Sequence, residues 1–114
     1  MVASRLQTLR GQLELYKIQH GDHFPTWEQM ADWKVMINGT EPDGSLGKKY
    51  GPYVATPPVN PANQKSAISP AGSAKADTGW VYDGKNGQIR AVVSAEEFKD
   101  AVQMLGEDSV ELAK

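Results

Sequence analysis

The sequence predicts a single α+β domain: a long N-terminal α-helix packed on a small antiparallel β-sheet, with a loop-rich middle and short additional helices. Three observations predict it. Leu6, Leu9, Leu13, Tyr16 and His20 recur at three- and four-residue spacings, the rhythm that lines up side chains on one face of a helix. Trp80-Val81-Tyr82-Asp83 and Gln88-Ile89-Arg90-Ala91-Val92-Val93 are β-prone runs on either side of an Asn86-Gly87 turn signal, the mark of a hairpin. Phe98, Ala101, Val102 and Leu105 then fall at i, i+3, i+4 and i+7, which makes a closing amphipathic helix with an acidic outer side.

Taken in order, residues 1–20 form a helical spine, which Val2 extends at its start and Gly21 stops, with Pro25 just beyond. Thr26 opens a T-x-x-Q capping box closed by Gln29, so a short second helix is expected over 26–38, carrying Trp27, Met30, Ala31 and Trp33. From Gly39 to Gly79 glycine, proline, serine and alanine accumulate and no apolar period survives, which reads as loop. Within it Tyr50-Gly51-Pro52-Tyr53-Val54 and Pro57-Pro58-Val59-Asn60-Pro61 hold the expected anchors. Ser66-Ala67-Ile68-Ser69 reads as a short edge strand, and Ala71 to Thr78 as mobile. The hairpin spans 80–93. The last helix spans 94–106, with Ser94 and Glu97 as its capping box and Gly106 as its end; the tail to Lys114 is expected to fray.

Composition narrows the function classes. A chain of 114 residues builds one modest core, and 39% apolar with 23% charged residues lies away from the disordered corner. Twelve basic against fourteen acidic side chains leave a net charge of −2, so no overall field draws the chain to nucleic acid. The absence of cysteine excludes disulfides, thiolate metal sites and thiol nucleophiles.

Candidate chemistry is thin. His20-Gly21-Asp22-His23 brings two imidazoles together, but a metal takes three or four protein ligands and no third is in view. His20 reads instead as a helix C-terminal residue that favours the dipole, and His23 as part of the turn. Asp83-Gly84-Lys85-Asn86-Gly87-Gln88 opens like a calcium loop and then lacks the later acidic ligands, so it reads as the hairpin turn. Trp27, Trp33, Tyr50, Tyr53, Trp80 and Tyr82 could line a sugar-binding face, though rings of this size are expected to form the core and its rim. Neither a convergent acid–base set nor a G-x-S-x-G, phosphate-loop or H-E-x-x-H motif occurs, so no catalytic, cofactor-binding or metal residues are assigned.

The stretch from Leu6 to Tyr53 carries a resemblance. A long helix ends L-x-L-Y-K-I-Q-H-G-D-H-F-P-T, a short helix follows, and then come G-P-Y and P-V-N-P. This looks like the globular head of a type IV pilin-like protein, and resembles the pseudopilins of bacterial type II secretion systems. Leu13, Tyr16, Gly21, Phe24, Pro25 and Thr26 are the matching positions, with Phe24 where tyrosine is more usual. Gly79-Trp80-Val81-Tyr82-Asp83 followed by Gly87-Gln88-Ile89-Arg90-Ala91 is similar to the closing hairpin of some pilin-like proteins.

The resemblance implies a structural subunit of a pilus-like or pseudopilus fibre, partnered by further copies and by other pilin-like subunits. It implies a processed apolar segment ahead of Met1 that anchors the full-length protein in the bacterial inner membrane, with the head in the periplasm. That expectation agrees with a helical pattern that begins at the first residues without a cap. Major pseudopilins also carry an aspartate-rich calcium loop near the C-terminus; this sequence has Asn60-Pro61-Ala62-Asn63 and an acidic helix there, so no calcium residues are assigned. On the reverse side of the first helix Ser4, Thr8, Gly11, Leu15 and Ile18 form a small, smooth face, the expected assembly face. A second reading stays open, a non-catalytic recognition module that binds a protein or glycan through the 39–79 region.

Overall fold

The computed structural model describes residues 2–75 and 77–113 and is α+β. Helix α1 runs Val2–Gln19, and Gly21 and Asp22, both with positive φ, turn the chain away from it. Leu6, Leu9, Leu13 and Tyr16 are its buried residues, as the spacing predicts. They pack with Trp80, Tyr82, Ile89 and Ala91 of the sheet and with Met30, Trp33, Val35, Met36 and Tyr53 in one core.

The sheet has four strands in the order β1 (Ile68–Pro70), β2 (Trp80–Asp83), β3 (Gln88–Val93) and β4 (Val110–Leu112). The hairpin β2–β3 is antiparallel, but β1 runs parallel to β2 and β4 runs parallel to β3. The sheet is therefore mixed, a correction to the antiparallel expectation. The cause lies in the connections: the chain from β1 loops back to start β2 beside it, and α4 (Ala95–Leu105) carries β3 over into β4, the crossover that parallel pairing needs.

Three local expectations are also corrected. The helix expected over 26–38 is broken into α2 (Trp27–Met30), a 3₁₀ turn (Ala31–Trp33) and α3 (Lys34–Ile37), because Asp32 and Trp33 take positive φ. The break sends the Trp33 indole into the core, where its Nε1–H donates to Ser66 O at 2.8 Å. The tail through Ala113 is paired rather than frayed, with Val110 buried and Ala113 N–H donating to Val93 O at 3.0 Å; Lys114 lies outside the described residues. The 71–78 stretch, expected to be mobile, is anchored: Glu111 of β4 accepts the Gly72 and Ala74 amides, and Ala74 is fully buried against Val81 and Val92 on the second face of the sheet. Ala76 lies outside the described residues.

The caps divide. Thr26 and Gln29 make the full capping box, with Thr26 N–H donating to Gln29 Oε1 at 2.9 Å and Gln29 N–H to Thr26 Oγ1 at 3.3 Å. At Ser94 the box does not form, since the serine hydroxyl donates to the Glu97 carboxylate at 3.2 Å and gives the helix no side-chain cap.

The loop-rich middle is held by a few buried polar groups. Asn60 is fully buried; its Nδ2 donates to Gly79 O at 2.9 Å and Val92 O at 2.8 Å, while its Oδ1 accepts from Ala62 N–H at 2.8 Å. One amide thus ties the loop to the start of β2 and the end of β3. The anticipated anchors hold here: Tyr53 joins the core, and Trp80 Nε1–H donates to Pro58 O at 2.9 Å.

Candidate functional site

Burial of four residues on one side of α1 leaves the opposite side to solvent, because successive residues rotate about 100° around a helix. Gly11, Leu15 and Ile18 share that opposite face. Ile18 is 74% and Leu15 41% exposed, both large for aliphatic side chains. A Cβ built on Gly11 meets nothing within 4 Å beyond its own stretch of helix backbone, so the position is open and the glycine is not required by the domain's own packing.

Of the other two residues expected on this face, Ser4 falls between Gly11 and Leu15 around the helix and Thr8 lies at the border. Both are exposed, and the Thr8 hydroxyl donates back to Ser4 O at 3.0 Å. With Arg5 they line a groove of about 570 Å³ against the Val54–Val59 segment, where Val59 is 41% exposed. The structure therefore keeps Ser4, Gly11, Leu15 and Ile18 on one outer face, with Ser4 and Thr8 also lining the groove beside it. Arg10, on the other flank, donates to Ser109 Oγ at 2.9 Å and ties α1 to the turn before β4.

The His20–His23 cluster separates into a buried joint and an exposed residue. His20 is buried at the end of α1, with its Nδ1 2.6 Å from Tyr16 O. A carbonyl only accepts, so Nδ1 carries the proton; Nε2 lies 2.8 Å from Thr40 Oγ1. The imidazole stacks on the Tyr16 ring at 3.7 Å between centroids and meets Tyr50 edge-on. His20 thus joins the helix end to the Thr40 loop. Burial pushes the Tyr16 hydroxyl up to about 12, with Tyr53 and Asp43 adding to the rise. Burial also raises Tyr82, whose hydroxyl donates to Pro25 O at 2.7 Å.

Asp83 uses its carboxylate inside the hairpin turn, accepting the Lys85 amide at 2.9 Å, and Gly87 takes the positive φ that the turn needs. Trp33, Tyr53, Trp80 and Tyr82 are buried and Trp27 and Tyr50 half-buried, so the six aromatics build the core and its rim rather than a sugar-stacking face. Among the described residues no group of three or more His, Asp or Glu is placed to hold a metal ion, and no helix is long and apolar enough to cross a membrane.

One surface escaped the sequence reading. Helix α4 buries none of its residues fully, and Met104 is 76% exposed beside a groove of about 300 Å³ between α4 and the start of α1. Its signal was available: Glu96, Glu97, Asp100 and Met104 fall on neighbouring turns of α4, an acidic rim beside an unsheltered apolar side chain. No protein-family model, curated protein or solved structure matches the chain.

Proposed function

We propose that this domain is a non-enzymatic structural subunit, a pilin-like head that takes part in a pilus-like or pseudopilus fibre, in the manner of type II secretion. The observation that carries the reading is the division of α1 into two faces. One face is the spine of the core. The other is smooth at Gly11, apolar at Leu15 and Ile18, and open along its length. Glycine inside a helix costs about 1 kcal/mol relative to alanine, so an open Gly11 is explained when a neighbouring backbone packs close to it in an assembly. The full-length protein would sit in the bacterial inner membrane through an apolar segment ahead of this helix, with the head in the periplasm. Its partners would be further copies and other pilin-like subunits.

The anchoring of the 39–79 region supports this reading over a recognition module, since Asn60, Tyr53 and Trp33 spend that region's best contacts on the domain itself. The test is Gly11→Leu in the full-length protein. The isolated head is expected to fold and the fibre to be lost, seen by electron microscopy of sheared cells. Normal fibres from the leucine variant would remove the assembly role of this face.

A further inference from the structure

The groove at the start of α1 is lined by the apolar Val2, Met104 and Leu105 and by the acidic Glu96, Glu97 and Asp100, with no basic residue among its lining. An apolar slot with an acidic rim accepts an apolar side chain flanked by cations. The same chain carries such a group at its far end. Leu46 is 53% exposed, and Lys48 and Lys49, two and three residues on, are both exposed.

That far-end group is held firmly. Thr40 bridges to both Leu46 and Tyr50, and Gly47 N–H donates to Gly39 O at 3.1 Å. Glu41 and Asp43 keep their charge in the same loop but turn carboxylate oxygens onto it: Glu41 accepts the Lys48 and Lys49 amides at 2.8 and 3.2 Å, and Asp43 accepts from Ser45. The groove lies at Val2, whereas the Leu46 loop lies at His20 through Thr40. An 18-residue helix separates its ends by about 27 Å, within a molecule 42 Å long.

We infer that the groove receives the Leu46–Lys49 loop of a second copy, with Leu46 against Met104 and Leu105 and the two lysines against Glu97, Asp100 and Glu96. The two surfaces differ and sit at opposite ends, so the contact is head-to-tail. A heterologous contact of this kind adds copies without closing on itself unless the rotation happens to form a ring. The inference deepens the fibre reading and rests on it for unlimited growth; the contact itself rests on the apolar lining and on charge.

Because the chain has no cysteine, Leu46→Cys combined with Met104→Cys makes a clean reporter. Oxidation of this double variant, both as the 114-residue chain at high concentration and as full-length protein in cells, is expected to give a ladder of dimers, trimers and longer products. A mixture of the two single variants should stop at the dimer. Lys48→Glu with Lys49→Glu should cut the ladder about tenfold, and adding Glu97→Lys with Asp100→Lys should restore it. Fibres that form without a 46–104 link, or Met104→Cys alone giving dimers as readily, would overturn the contact. A ladder from the 114-residue chain, with no fibres in cells, would keep the contact and refute the fibre reading. Neither ladder nor fibre refutes both, and the single-variant mixture decides the contact even if the charge variants fail to fold.

Discussion

Helices α1 and α4 both carry an apolar stripe, yet they bury it to different depths. Helix α4 has the clean amphipathic pattern, with Phe98, Ala101, Val102 and Leu105 on one side and acids on the other, yet none of its residues is fully buried. Helix α1 mixes polar and apolar residues around much of its circumference, yet Leu6, Leu9, Leu13 and Tyr16 are almost completely shielded from solvent. The difference lies in what each helix meets. Helix α1 lies against the aromatic side of the sheet, where Trp80 and Tyr82 project, while α4 lies near the parallel edge at β4. Periodicity says which side of a helix turns inward; the volume of the opposing surface decides how far it is covered.

The contrast is sharpened most by truncation in α1. Leu13→Ala is expected to lower stability by about 2–5 kcal/mol, measured by urea unfolding, because the side chain is fully buried in the main core and its removal leaves a cavity. A loss below about 1 kcal/mol would mean that the core is looser than its burial implies.

Next in size is Asn60→Ala, which removes a buried donor from the Gly79 and Val92 carbonyls and leaves Gly79 O only the Val92 amide at 3.0 Å. A loss of about 1–3 kcal/mol is expected, and amide exchange should quicken in β3. Unchanged exchange at Val92 and Val93 would show that the loop does not depend on this side chain.

A smaller effect is confined to alkaline solution. Tyr16 titrates near 12 in the fold against about 10 in an unfolded chain, so its raised value stabilises the fold fully below pH 10. That contribution is lost as pH rises from about 10 through about 12, as the unfolded state sheds protons first. Tyr16→Phe should flatten the decline in melting temperature over this window; an equally steep decline would assign it to Tyr82 or to other groups.

Smaller again, Val102→Ala in α4 should cost under about 1 kcal/mol, since the side chain is only half-buried. Gly11→Ala should raise stability by about 0.8–1 kcal/mol through helix propensity alone. A destabilised Gly11→Ala chain would break the comparison, because it would place the outer face of α1 under the domain's own cover.

Much of this was legible beforehand, for physical reasons that can be named. The α1 stripe, the Thr26 box and the Asn86-Gly87 hairpin are local, so nearby residues determine them. The candidate outer face was legible as the complement of that stripe. The parallel partners of the hairpin were not: Ile68-Ser69-Pro70 and Val110-Glu111-Leu112 are too short to carry a period, and their pairing is chosen by the sheet they join. The Asp32–Trp33 break escaped as well, because the burial of one indole outweighs the positive φ it requires. The Glu96, Glu97, Asp100 and Met104 pattern stands in the sequence, but the groove it borders arises only from the way α4 docks beside Val2.

Those two short strands have a further consequence. Each outer strand is three residues long; one ends in Pro70, which has no N–H to offer, and the other carries Glu111 at its centre. An open sheet border is where chains held close together seed amyloid, and brevity, proline and charge are the features that blunt it. Many copies of this domain can therefore be crowded side by side without templating cross-β growth. Any polymer they build would be held by folded surfaces and could come apart again into native subunits.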